Sequence, residues 1–110
     1  MKRAMEYFQQ ASEKDPGYAL AYAGVADCHS MLSVYSVVPP KEGWARAKAA
    51  SAAAVVLDPE LAEGHVSLAF IRAFADWDWP AAEEESLRAI ELNPALWQAP
   101  YWYADRKSVV

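Results

Sequence analysis

The pattern W-x-x-A-x-x-x-S-x-x-A-x-x-x-x-P occurs twice in this chain, and that recurrence restricts the fold more than any other feature. WARAKAASAAAVVLDP supplies Trp44, Ala47, Ser51, Ala54 and Pro59. WPAAEEESLRAIELNP supplies Trp79, Ala82, Ser86, Ala89 and Pro94. The N-terminal segment repeats the tail of the pattern with Ala4, Phe8, Ala11 and Pro16. Spacings of three and four place these residues on one helical face. Small side chains on that face let two helices approach closely, and each proline ends a helix and opens a turn.

Three turns share one chemistry: EKDPGYALAYAG, VLDPELAEGHVS and ELNPALWQAPYW each place Asp or Asn before Pro and an alanine-rich start after it. Pro16 to Pro59 is 43 residues and Pro59 to Pro94 is 35. A period in this range is the mark of a solenoid. The segments that follow the turns also align. Tyr22, Val25, Ala26 and His29 match His65, Leu68, Ala69 and Arg72, and then Pro100, Tyr103, Ala104 and Lys107.

Together these frames resemble the tetratricopeptide repeat, in which W-x-x-L-G-x-x-Y, A-x-x-x-F and P mark a helix–turn–helix unit of about 34 residues. The resemblance implies an all-α fold, an α-solenoid of antiparallel helix pairs wound into a right-handed superhelix. About six helices are expected, near 2–14, 18–35, 41–57, 61–75, 79–92 and 97–106, and no strands. One domain would span 1–106, with a partial unit 1–16, full units 17–59 and 60–94, a partial unit 95–106 and a tail 107–110. The chain departs from the family pattern. Tyr22, His65 and Pro100 stand at the leading tryptophan position, and Ser51 and Ser86 at the phenylalanine position. About nine extra residues near SVYSVVPPK are expected in a long loop inside the first full unit, with Pro39-Pro40 opening the next helix. One extra residue is expected near Trp77.

Composition agrees with a helical globule. Apolar residues make up 55% and charged residues 23% of 110 residues, and only four are glycine, a balance that favours burial and helix. The formal net charge of −5 comes without a basic stripe, which argues against nucleic acid as a partner. No apolar run approaches the roughly 20 residues of a membrane span. The polar stretch after Met1-Lys2-Arg3 reads against a signal peptide. A single cysteine, Cys28, excludes an internal disulfide. A cytoplasmic setting is therefore expected.

Candidate chemistry is sparse. Asp27, Cys28 and His29 are consecutive, and successive helical residues point about 100° apart, so they do not converge on one ligand. His65 occupies a packing position of its helix. Glu83-Glu84-Glu85 opens a helix, where carboxylates complement the helix dipole as a solvated face, and Glu84 stands four before Arg88. Asp76-Trp77-Asp78-Trp79-Pro80 looks like a ligand site but aligns as a joint. Trp79 matches Trp44 as an aromatic wedge between paired helices, Asp78 caps the next helix, and Pro80 lies in its first turn. No catalytic residue, metal or cofactor is implied.

The tetratricopeptide resemblance implies a concave groove lined by the first helix of each unit. Carried across the frame, that groove holds Leu20, Ala23, Asp27, Ser30 and Met31, then Glu63, Val66, Phe70, Ala73 and Phe74, and then Gln98, Tyr101 and Asp105, with Asp27, Met31, Val66, Phe70, Phe74, Tyr101 and Asp105 as the candidate contacts. Its mixed apolar and acidic lining suits a protein or peptide with apolar anchors and basic flanks. The tract DWDW…AIELNP…YWYA further resembles the repeat regions of bacterial signalling proteins that carry a protein kinase or winged-helix regulator. The expected function is a non-catalytic interaction scaffold. A second expectation is self-association. Solenoid ends need caps, and Phe8 and Ala11 at one end, with Trp97, Tyr101 and Trp102 at the other, offer surfaces for head-to-tail pairing.

Overall fold

The computed structural model describes residues 2–95. Five α-helices fill this span: α1 Lys2–Lys14, α2 Ala19–Val34, α3 Pro40–Leu57, α4 Ala62–Phe74 and α5 Trp79–Leu92. No strand occurs among the described residues. The helix expected over 97–106 and the 107–110 tail lie outside them.

The three Asp/Asn-Pro turns are built alike. Asp15, Asp58 and Asn93 each accept, through a side-chain oxygen, the backbone N–H two residues on, from Gly17 at 3.1 Å, Glu60 at 3.1 Å and Ala95 at 3.2 Å. Proline follows each of them and presets the turn. The short Asx side chain thus supplies an acceptor that the broken helix ladder lacks. The recurring dipeptide is a geometric instruction repeated three times.

Helices then pair in sequence. α1 meets α2, α2 packs on α3, α3 on α4 and α4 on α5, and α2 also packs on α4. The pairing of α3 with α4 is antiparallel. Gly64 near the start of α4 meets Ala54 and Val55 near the end of α3, whereas Phe70 meets Trp44 near the start of α3. α2 and α4 run side by side in the same direction, since Ser67 reaches Ala23 and Asp27 while Phe70 lies beside Ser30 and Met31.

The shared face of the repeat is the core. Ala47, Ser51 and Ala54 on α3, and Ala82, Ser86 and Ala89 on α5, all have no accessible surface. Among the described residues the largest fully buried side chain is Ile71; close helix approach, not large side-chain volume, fills this core. Ser51 and Ser86 tolerate burial because their hydroxyls donate to the carbonyls of Lys48 and Ala82 within their own helices. No buried side-chain N or O among the described residues lacks a hydrogen-bond partner.

Two expectations need correction. The extra length of the first full unit does not form a long loop. α2 is three residues longer than α4, α3 is four longer than α5, and the connection 35–39 is one longer than 75–78. Alanine-rich sequence extends the helices because nothing in it stops them before Val34. The second correction concerns Trp79. It is 43% exposed rather than enclosed, and it meets Phe74 edge-on at 6.3 Å at the rim of the α4–α5 pair. The first turn of α5 lies at the end of the helix pair, beyond Phe74, the last residue of α4.

Candidate functional site

α2 and α4 enclose a concavity of about 220 Å3 lined by Asp27, Ser30, Met31, Val66 and Phe70. All five are positions that the repeat frame carries to the groove, with Ser30 one turn along from Asp27. Asp27, Met31, Val66 and Phe70 come together because i, i+4 neighbours on two parallel helices face the same cleft. Ala23 and Ala73, which the frame also carries to the groove, are instead buried in the helix packing, where their small side chains let the helices approach. Tyr101 and Asp105 lie outside the described residues.

Phe74 extends the cleft. Its ring lies 4.6 Å from Phe70, and Phe70 lies 6.3 Å from Trp44. With Trp79 this makes a row of four rings across α3, α4 and α5, at separations where aromatic pairs attract. Residues read from the sequence as structural wedges and residues read as groove lining therefore form one continuous surface. Phe74 is half-exposed on it.

Asp27 carries the cleft's negative charge. Its Oδ1 accepts the Ser67 hydroxyl at 2.7 Å. That hydroxyl also lies 3.1 Å from the Glu63 carbonyl and 3.4 Å from the Ala23 carbonyl, so its single proton has three acceptors to choose among. Loss of water on the α4 side pushes the Asp27 carboxyl up to about 6, and the Ser67 bond opposes this. The residue as a whole is exposed along the cleft, so water reaches the carboxylate from that side and tempers the effect. The neighbouring Cys28 thiol is buried, and burial raises it further above its ordinary range, which leaves it protonated and a poor nucleophile.

A second concavity of about 310 Å3 lies between α1, α2 and α3, lined by Gln9, Ser12, Tyr22, Val25, Arg46 and the alanines 49, 50 and 53. The sequence frame did not point to it; it exists because three alanines leave room that larger side chains would fill.

The Asp-Trp stretch resolves into a joint with one outlying residue. Asp78 caps α5 by accepting Ala81 N–H at 3.1 Å, and Pro80 lies in the first turn. Asp76 accepts Lys48 Nζ at 2.6 Å and Arg72 Nη1 at 3.0 Å, tying α3 to the end of α4. The Lys48 and Arg72 hydrogen bonds hold its carboxyl below the usual range against a smaller opposing effect of burial. Trp77 has a positive φ of 53° and is 75% exposed.

Glu85 does not belong to the solvated acidic face that its place in Glu83-Glu84-Glu85 suggests. It is half-buried, and its Oε2 is hydrogen-bonded to Nδ1 of buried His65 at 2.6 Å, while His65 Nε2–H donates to the Pro59 carbonyl at 2.7 Å. His65 thus packs, as expected, and also staples the turn before α4 to α5. A histidine at a core position needs partners for both ring nitrogens, and that need was the available signal. Arg88 lies 3.7 Å from Glu91.

At the N-terminal end, the Phe8 ring lies flat against Gly24, where an added Cβ would collide with it. Phe8 and Ala11 are half-buried against α2, and the neighbouring Tyr7 is the exposed ring at 65%. Trp97 and Trp102 lie outside the described residues. Among those residues no group of three or more His, Cys, Asp or Glu side chains is placed to hold a metal ion, and no helix is long and apolar enough to cross a membrane. No protein-family model and no curated protein matches this chain.

Proposed function

We propose that the helix pairs are units of a tetratricopeptide-like solenoid and that the cleft between α2 and α4 binds a peptide or an exposed segment of a partner protein. The observation that carries this reading is the cleft itself. Two parallel helices present Met31, Val66 and Phe70 as apolar walls around one carboxylate, and the half-exposed Phe74 continues the apolar surface. A partner segment with an apolar anchor and a basic flank would satisfy both features. The role is that of a non-catalytic scaffold in a cytoplasmic signalling protein of the bacterial kind the repeats resemble.

Selection of random peptides on the full chain tests it. Enriched peptides should pair an apolar anchor with basic residues, and Phe70→Ala should weaken their binding by at least about 10-fold, as loss of an aromatic anchor does. Failure to enrich any sequence, or binding indifferent to Phe70, would remove the reading.

The alternative is a structural module that pairs through its ends. The exposed Tyr7 beside the half-buried Phe8 favours it. Sedimentation of the full chain and of Tyr7→Ser separates the two. A dimer lost in the variant supports end pairing, and a monomer at high micromolar concentration leaves the groove alone.

A further inference from the structure

Resting on the groove reading, we propose that the Asp27 concavity is a receptor pocket for the ammonium group of a lysine side chain carried by the bound segment. Asp27 has no cationic partner among the described residues, whereas Asp76 holds two. Its only hydrogen bond among those residues is the one that Ser67 donates to Oδ1. Oδ2 has no hydrogen-bond partner among those residues, and Asp27 lines the cleft. One open oxygen offers a single-point contact, which a compact ammonium satisfies and a guanidinium fork does not. Met31 and Val66 supply apolar wall for the four-carbon stem, and the Phe70 ring adds a π face for the charge.

The surroundings leave the anion uncompensated. On α4, the ionisable residue one turn before Ser67 is Glu63, a second anion. On α2, burial lowers His29, which disfavours its cationic form, and the Cys28 thiol stays neutral. On α3, Arg46 acts on His29. α1 reaches α2 through the uncharged Phe8 ring at Gly24. A carboxylate whose ionised form is disfavoured by its walls gains most from a cation that enters between them. The net charge of −5 draws such cations toward the surface.

The experiment is an NMR titration of the 15N-labelled full chain with n-pentylamine, n-pentylguanidine and 1-pentanol at pH 8. Pentylammonium should give saturable shifts at the amides of Asp27, Met31, Ser67 and Phe70, pentylguanidinium should bind more weakly, and pentanol should leave them unmoved. Asp27→Asn, which keeps the shape, should weaken amine binding by at least about 10-fold, the loss of a charge-assisted contact. Lowering the wild type to pH 5 should weaken it by about 10-fold as the carboxyl, near 6, takes up its proton. Equal binding of pentanol, tighter binding of the guanidine, or an Asp27→Asn chain that binds amine unchanged would each overturn the proposal. The two readings fail differently. Selected peptides that need Phe70 but ignore Asp27→Asn sink the lysine pocket and keep the groove. Amine titration at Asp27 without any selectable peptide does the reverse.

Discussion

Asp27 is the residue whose chemistry is least predictable from its neighbours in sequence. Its folded value of about 6 lies above an unfolded value of about 3.9, so the folded chain holds the proton more tightly in that interval. Stability from this group therefore falls as pH rises from about 4 to about 6, and the deficit persists above. Asp76 acts in the opposite sense: its ion pairs hold its carboxyl down, and their contribution is present at neutral pH and lost on acidification. Comparing wild type with Asp27→Asn cancels Asp76. Urea denaturation should show Asp27→Asn the more stable at pH 8, with the two curves meeting near pH 4. A difference independent of pH would mean that the carboxylate is fully solvated.

Within the elements, the two intra-pair turns reveal what the extra residue near Trp77 does. In the turn after α2, Ser36 takes a φ of 55° and Val37 N–H closes back on the Leu32 carbonyl at 2.9 Å. In the turn after α4, Trp77 takes a φ of 53° and Asp78 N–H closes on the Arg72 carbonyl at 2.8 Å, one residue further back. The inserted residue widens the same left-handed cap, and the tryptophan occupies its left-handed position. That position suits glycine and strains a bulky side chain. With its ring 75% exposed, Trp77 has little contact to lose. Trp77→Gly should raise stability by about 0.5–1 kcal/mol, the relief expected at a left-handed cap. A loss as large as that for a buried ring, measured by denaturant midpoint, would show that the indole packs against the protein.

Across the molecule, close approach between helices replaces bulky packing. Phe8 of α1 is seated on Gly24 of α2, and any added Cβ would strike the ring. Gly24→Ala should therefore cost about 1–3 kcal/mol despite the gain in helix propensity, because overpacking displaces α1. Gly17→Ala is the control. An added Cβ there meets only the Asp15 carboxylate at ordinary contact distance, and the change should be neutral or stabilising by up to about 1 kcal/mol. Thermal melts of the two variants in parallel check the pair; similar melts would place α1 away from α2.

Helix positions, the Asp/Asn-Pro turns and the buried stripe Ala47, Ser51, Ala54 with Ala82, Ser86, Ala89 were legible in the residues, because local spacing and turn chemistry act over a few positions. The shared cleft of Asp27, Met31, Val66 and Phe70 was an expectation carried over from the tetratricopeptide resemblance rather than from the local pattern. The remainder depended on contacts between segments distant in sequence. The His65–Glu85 staple joins residues 20 apart and the Asp27–Ser67 bond residues 40 apart, and no local pattern encodes either. The open rim around Trp79 and the length taken up by α2 and α3 were likewise settled by which helix faces lie opposite one another. Spacing determines which face of a helix is apolar. Only the assembled helices determine which side chains on that face are covered, which carboxylate finds a partner, and which is left facing the cleft.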